Sequence, residues 1–331
     1  MLTQTKLKFF SFNPRPHLHP SPNPSSRPSE NKEKQAQRDG LRKIAETTLK
    51  AIKDGIITVA GISHDLAAKI TFSNNNTCYY AADSVLSTWS NTSFPPRAIQ
   101  SNTEISVLEI STLDGARSLS NTLSSRSTSF GRIALLNFAS ATNPGGGFQN
   151  GAKAQEESIA RSSTLYPSLM TDTAQQFYKL HENDRKRGFY HHVMVYTPAV
   201  VVFRDDAGGW IEPYEVDVIT SAAVNAGDVR KKVMAARSSA SRAETEKKIE
   251  EVMRERMARI LFLFEHQGAK NIVLGSFGTG VFQNSVELVA KIWADLLTAD
   301  NARFKRSFDR VVFAILGKDT FDTFKQVFEK R

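Results

Sequence analysis

Hydrophobic residues fall into two patterns along most of the chain, short continuous runs and longer stretches with helical spacing. Short apolar runs are typical of buried strands, and apolar residues that recur every three to four positions are typical of amphipathic helices. From residue 103 onwards the two patterns alternate. The predicted strands lie in EISVLEIST, IALLNF, VMVYTPAVVVFRD, EVDVITSAAV, NIVLGSF and RVVFAIL. The predicted helices cover residues 113–123, the stretch from AQEESIARSSTLY to about residue 181, and residues 243–267, 286–297 and 320–329.

Strands that alternate with helices predict an α/β fold, a three-layer α/β/α domain with a mixed, largely parallel sheet. We expect this core to span residues 103–331. Ahead of it, residues 39–54 have the spacing of an amphipathic helix. Its apolar side would carry Leu41, Ile44, Ala45, Leu49 and Ile52. We therefore expect an N-terminal helical extension over residues 39–102.

The first 38 residues differ in composition from the rest. Residues 11–38 hold six of the twelve prolines and many serines, so they bury too little apolar surface to fold. We expect residues 1–38 to be a disordered tail of an intracellular protein, cytoplasmic or nuclear. The first acidic residue is Glu30, and an acid-poor start is also typical of a mitochondrial transit peptide. That alternative stays open.

The net charge of +9 is concentrated in the tail. Residues 1–38 have seven basic residues against two glutamates, which accounts for +5 and leaves +4 for the remainder. Without a basic stripe in the body, we expect no direct DNA or RNA binding. A mildly basic body also suits a polyanionic substrate.

Other classes are disfavoured by single features of the composition. The only cysteine, Cys78, excludes an internal disulfide and a cysteine-based zinc cluster. The histidines show no paired metal spacing, so we expect neither a metal site nor a cofactor. No apolar run is long enough for a membrane span, so no membrane association is expected.

Three consecutive glycines are the feature hardest to explain by packing. They lie in NPGGGFQNGAKAQEE, residues 143–157, directly after the predicted strand IALLNF. Adjacent glycines suit a turn where the backbone takes positive φ or passes close to a ligand. Glu156 and Glu157 follow at a predicted helix start. A strand, a glycine turn and two acids in this order can hold a substrate and protonate it.

A second glycine loop follows the strand NIVLGSF. Gly275, Gly278 and Gly280 lie between this strand and the next helix, where backbone N–H groups bind phosphate well. The loop lacks the Gly-Lys-Ser/Thr of a Walker motif, and a purely structural turn is the alternative. Because ligands bind at the carboxyl ends of strands in α/β sheets, two such loops favour a shared ligand cleft.

Gly145-Gly146-Gly147 followed by Gln155-Glu156-Glu157 resembles the signature of poly(ADP-ribose) glycohydrolases. The longer string NPGGGFQNGAKAQEESIARSSTLY is similar to the microbial type of that family, as is the later loop GSFGTGVFQN. The resemblance covers about residues 40–331. It implies a macrodomain-like fold that binds ADP-ribose. The stretch SAAVNAGD, with Ser276 and Thr279, departs from the family pattern.

The resemblance also implies roles for residues. Glu157 would be the catalytic acid and Glu156 would hold the terminal ribose. Asn143 would contact the distal ribose, and Phe282 would pack near the terminal ribose at the end of the diphosphate-binding loop. The residues expected to contact substrate are Asn143, Gly145, Gly146, Gly147, Gln155, Gly275, Ser276, Phe277, Gly278, Thr279, Gly280, Val281 and Phe282.

The two acids cannot act as an ordinary carboxyl pair. Glycosidases usually place two carboxyl groups on either side of the scissile bond, whereas adjacent helical residues point about 100° apart. We therefore expect Glu157 alone to act as general acid and base.

The leading hypothesis is a glycohydrolase that releases ADP-ribose from the ends of poly(ADP-ribose). The alternatives are a reader that binds without cleaving, and a hydrolase of mono-ADP-ribosyl protein or small ADP-ribose esters. The expected partners are poly(ADP-ribose) or ADP-ribose and poly(ADP-ribosyl)ated proteins, and we expect a monomer.

Overall fold

The computed structural model describes residues 27–92, 103–124, 132–182, 188–235 and 242–330. Within these ranges a short hairpin of two strands precedes a seven-stranded sheet. The hairpin pairs β1 (Ile56–Val59) with β2 (Ile62–Asp65). The sheet strands are β3 (Cys78–Tyr80), β4 (Glu104–Leu108), β5 (Ile133–Phe138), β6 (Met194–Arg204), β7 (Trp210–Ser221), β8 (Asn271–Leu274) and β9 (Arg310–Ala314).

The sheet is mixed and largely parallel, as the alternation of strands and helices predicts. Its order is β3-β6-β7-β5-β8-β9-β4. The pairs β5–β7, β5–β8, β8–β9 and β4–β9 are parallel, and β3–β6 and β6–β7 are antiparallel. The central strand β5 is buried along nearly its whole length, which is why its sequence reads as a continuous apolar run.

Helices cover both faces of this sheet. They are α1 (Arg27–Asp54), α2 (Ala67–Asn75), α3 (Thr112–Ser124), α4 (Gln155–Ser162), α5 (Leu165–Leu169), α6 (Asp172–Glu182), α7 (Ala226–Ala235), α8 (Arg242–His266), α9 (Val286–Leu297) and α10 (Lys318–Glu329). Alternate residues of β5 enter different cores: Ala134 and Leu136 pack with α7–α10, and Ile133 and Leu135 with α3–α6. Because successive strand residues point to opposite faces, this arrangement gives the predicted three layers.

The N-terminal helix is longer than its sequence pattern indicates. It begins at Arg27, so residues 27–38 are helical rather than part of a disordered tail. The stretch NKEKQAQR, residues 31–38, consists largely of good helix formers, which explains the extension. Residues 1–26, where the rest of the predicted tail and the targeting segment fall, lie outside the described residues.

Two further elements differ from the predicted helices. The predicted helix up to residue 181 is divided into α4, α5 and α6. Between α4 and α5 the chain leaves the helix, where Ser163 forms a bridge with Val202 of β6 and Thr164 bonds to Val201. Its N–H donates to Val201 O at 2.9 Å, and its Oγ1 accepts from Val201 N–H at 2.9 Å. The second difference is α7, a helix that the sequence pattern does not predict.

The segment before residue 103 contributes to the sheet. β3 is an edge strand of the sheet and pairs with β6. Helix α2 packs beside β6 through Ser73, whose Oγ donates to Ala199 O at 3.0 Å. The division at residue 102 into extension and core stays a prediction. No helix among the described residues has the length and apolar character needed to cross a bilayer.

Candidate active site

The two glycine loops leave the sheet side by side. Each follows one of two parallel neighbouring strands, β5 and β8, so both emerge at the carboxyl edge. The rings of Phe138 and Phe277 meet edge to face at 5.6 Å between centroids. A Cβ on Gly275 would lie 3.0 Å from the Phe138 ring and 2.7 Å from Ala314 O. The structure therefore brings together the two loops that the sequence places on separate strands.

Glycine is required where the first loop meets the acids. Gly145 and Gly146 have φ of 68° and 60°, in the left-handed region. A Cβ on Gly146 would lie 2.3 Å from Glu157 Oε1 and 3.2 Å from Glu156 Oε2. The loop thus passes so close to both carboxyl groups that no side chain fits between them.

Gln155 fixes the start of α4 against β5. Its Oε1 accepts from Phe138 N–H at 2.9 Å, and its Nε2 donates to Leu136 O at 2.7 Å and to Thr112 Oγ1 at 3.2 Å. These bonds tie the Gln155 side chain to β5 and α3, and its contact with substrate stays a prediction. Its effect is to place Glu156 and Glu157 in the first turn of α4.

The carboxyl group of Glu156 is almost completely buried, with 3% of the residue exposed. Ser140 N–H donates to its Oε2 at 2.6 Å, and Asn137 Nδ2 donates to its Oε1 at 3.3 Å. Burial disfavours the charged form and raises the pKa of Glu156 to about 8, against the opposing effect of these hydrogen bonds. The negative charge of Glu157 acts in the same direction as burial. Burial therefore favours the protonated form of Glu156 in the free protein.

Glu157 has one bonded and one unbonded oxygen. Gly147 N–H donates to Oε1 at 2.9 Å. Oε2 is buried and has no hydrogen-bond partner among the described residues. A buried oxygen without a partner is costly unless a ligand or water bonds to it. This oxygen is the site's clearest place for a reacting group.

The second loop has a fixed base and an exposed tip. Asn284 is buried, and its Nδ2 donates to Gly278 O at 2.9 Å and to Val224 O at 2.7 Å. Gly280 and Val281 at the tip are exposed. Phe282 is half-buried, with its ring 5.9 Å from that of Tyr190.

The sequence of residues 45–205 matches the family described as microbial-type PARG, catalytic domain. The structure is similar to that of poly(ADP-ribose) glycohydrolase from Thermomonospora curvata, with 34% identity, coverage of 88% of this chain and 98% of the other, and a TM-score of 0.75. The same enzyme bound to the inhibitor ADP-HPD gives 35% identity, 88% and 98% coverage, and a TM-score of 0.74.

The poly(ADP-ribose) glycohydrolase from Deinococcus radiodurans in complex with ADP-ribose is 30% identical, with 83% and 99% coverage and a TM-score of 0.65. A comparison with curated proteins gave no match. This chain belongs to the microbial-type poly(ADP-ribose) glycohydrolase family.

The structure shows where several residues lie that are expected to contact the substrate of this glycohydrolase family. Phe277 is fully buried in the core, and its N–H bonds to Gly275 O at 2.9 Å. Its ring therefore supports the loop from below. Asn143 is exposed, with its Nδ2 3.2 Å from Thr142 Oγ1 and its backbone O bonded to Gly146 N–H at 2.9 Å. Its contact with a ribose stays a prediction.

The contacts of Ser276, Thr279, Gly280 and Val281 with substrate also stay predictions. Within the loop, Thr279 Oγ1 donates to Ser276 O at 2.9 Å and Thr279 N–H to the same oxygen at 3.2 Å. These bonds shape the turn ahead of the exposed tip. Among the described residues no group of three or more His, Cys, Asp and Glu side chains is placed to hold a metal ion.

Two further polar residues, which the sequence pattern does not single out, belong to the hydrogen-bond network of Glu156. Asn137 and Thr220 are buried polar residues inside strands, and Asn137 Nδ2 donates to Thr220 Oγ1 at 3.3 Å as well as to Glu156. A polar residue inside an apolar strand was the available signal for Asn137. Ser140 and Tyr190 carry no signal, because their contacts depend on tertiary structure.

Substitution of Gly146 by alanine should abolish turnover. The new methyl group would strain the positive φ and displace the Glu157 carboxyl group, so we expect a fall in kcat of at least about a hundredfold. Gly40 on α1 is the matched control, because a Cβ there meets nothing within 4 Å. Steady-state ADP-ribose release measures both variants. Equal activity of Gly146→Ala and Gly40→Ala would contradict the close-approach argument.

Substitution of Glu156 by glutamine should stabilise the fold at neutral pH. The pKa of Glu156 is raised from 4.5 to about 8. The contribution of Glu156 to the free energy of unfolding is therefore complete below about pH 4.5 and is lost as the pH rises through about 8. Glutamine does not titrate, and the unpartnered Asn137 Oδ1 can accept from its amide. Within that window the variant should gain about 1.4 kcal/mol per pH unit over the wild type. Thermal unfolding at several pH values measures this, and a pH-independent difference would contradict it.

Proposed function

We propose that this protein hydrolyses the ribose–ribose glycosidic bonds of poly(ADP-ribose) from the chain end and releases ADP-ribose. The observation that carries the proposal is the unbonded oxygen of Glu157 beside the Gly145–Gly147 turn. The adjoining second loop suits a diphosphate, because exposed backbone before a helix start binds anions. Membership of the family supports the same substrate.

In the proposed reaction, Glu157 donates its proton to the departing 2′ oxygen of the neighbouring unit. The electron pair of the bond to C1″ goes with that oxygen and leaves an oxocarbenium-like ribose. Water then attacks C1″ and returns a proton to the Glu157 carboxylate. One carboxyl group thus serves first as acid and then as base. A single carboxyl group is required because the adjacent Glu156 points in a different direction on the helix.

Glu156 would hold the terminal ribose by accepting hydrogen bonds from the hydroxyl groups of the sugar. In the free protein it carries a proton, and a ribose hydroxyl that donates to it would favour its charged form. The negative charge of Glu156 and of the diphosphate would then favour the protonated form of Glu157 that the first step requires. The bound substrate would therefore set the protonation state needed for its own cleavage.

The ring of Phe282 would limit access of water to the terminal ribose. It lies at the end of the second loop and faces Tyr190. Excluding bulk water strengthens the interactions of the reacting carboxyl group. The partners of the protein are then poly(ADP-ribose) and proteins that carry it.

The test compares the wild type with Glu157→Gln on purified poly(ADP-ribose). Loss of the general acid should lower ADP-ribose release by about a hundredfold or more, while ADP-ribose binding and the melting temperature remain. Glu46→Gln, an exposed acid on α1, is the matched control. Chromatography of early products should show monomeric ADP-ribose.

Two outcomes would contradict the proposal. Near-normal release by a folded Glu157→Gln would remove Glu157 from the reaction. If the wild type bound ADP-ribose tightly and released none from the polymer, the chain would be a reader or would act on another ADP-ribose linkage.

A further inference from the structure

The turn that carries Phe282 is held from one side by α7. Gly227 N–H donates to Phe282 O at 3.1 Å, and Arg230 Nη1 donates to Gln283 O at 2.8 Å. Gln283 has a φ of 56°, unusual for a residue with a side chain. A Cβ on Gly227 would lie 2.5 Å from Gln283 Oε1, so this side chain lies directly over the first turn of α7. Two successive carbonyl groups of the loop are therefore fixed by one helix.

Arg230 at the same time joins α7 to α8. Its Nε and Nη2 donate to Glu246 Oε1 and Oε2 at 2.6 and 2.8 Å. A two-bond pair of this kind fixes the plane of the guanidinium group, which a single contact does not. The remaining Nη1 is thereby aimed at Gln283 O. We call Arg230, Glu246 and the Gln283 carbonyl group the Arg230 clamp.

The surroundings show why the clamp matters for the loop. The tip at Gly280 and Val281 has little support: Val281 is 80% exposed, and a Cβ on Gly280 would meet nothing within 4 Å. The Phe282 ring touches Tyr190, whose backbone oxygen accepts from the buried Arg256 Nη2 at 3.2 Å. The Tyr190 side of the contact is thus fixed by the core. On the Phe282 side, the bonds from α7 add to the packing of the ring against the core.

We propose that Arg230 is a positioning residue for ligand binding, because it holds the Phe282–Gln283 turn in the geometry that receives the diphosphate and terminal ribose. The proposal rests on the proposed function, which supplies the ADP-ribose unit as ligand. It assigns to Arg230 no contact with the substrate. A partly exposed ion pair alone contributes little to stability, so the effect of Arg230 should fall on binding rather than on folding.

The test is Arg230→Gln, with Arg254→Gln as matched control. Arg254 lies on α8 and pairs with Asp295 at 2.8 Å and with Glu250 at 3.4 Å, and neither partner belongs to the loop. Loss of one charged hydrogen bond should raise the Kd for ADP-ribose and the KM for polymer about tenfold in Arg230→Gln, with a smaller change in kcat. Arg254→Gln should stay within about twofold of the wild type in Kd, KM and kcat.

A merely structural ion pair would lower Tm alike in both variants and leave Kd and KM unchanged, which would overturn the proposal. A fall in kcat with unchanged Kd would overturn it too. If Arg230→Gln does not fold, Glu246→Gln decides, since it frees the guanidinium group and should raise Kd in the same direction. If the wild type binds ADP-ribose without cleaving polymer, the proposed function fails, and the Kd comparison alone tests Arg230.

Discussion

The site depends on burying two adjacent carboxyl groups in the first turn of one helix. Burial of a carboxylate is costly unless hydrogen bonds replace water. Here the backbone supplies them separately: Ser140 N–H bonds to Glu156 and Gly147 N–H to Glu157. Gly146, in the first glycine loop, leaves the space that both carboxyl groups need. The remaining cost appears as the raised pKa of Glu156 and the unbonded oxygen of Glu157.

The rest of the fold serves to hold that turn in place. Gln155 takes the position of a backbone partner at the end of β5, so the start of α4 cannot shift along the strand. The pairing of β5 with β8 brings the second loop beside the first. On the outer side, α1 packs on the first loop through Ala45 and Phe148. Arg38, on the same helix, donates from its Nε to Asn150 O at 2.8 Å.

The sequence predicts most of the sheet and both loops, because each rests on local information. The run IALLNF coincides with β5, and residues 286–297 with α9. Other features depend on contacts between distant residues. Ser163 interrupts a helical pattern to form a bridge with β6, and α7 is stabilised by packing of Ala226 and Val229 in the core. Tyr190 and Arg230 gain their roles from neighbours that no local pattern shows. For the same reason Phe277 belongs to the core rather than to the cleft surface.

The central claim is that burial divides two chemically identical side chains into a proton-holding group and a reacting group. Carbon-13 NMR of glutamate carboxyl groups, followed through a pH titration of the free protein, tests it most directly. The account predicts one carboxyl resonance that titrates at about pH 8 in the wild type and is missing from Glu156→Gln. If all glutamate resonances of the wild type finished titrating in the range of exposed carboxyl groups, at about pH 4 to 5, the claim would be contradicted.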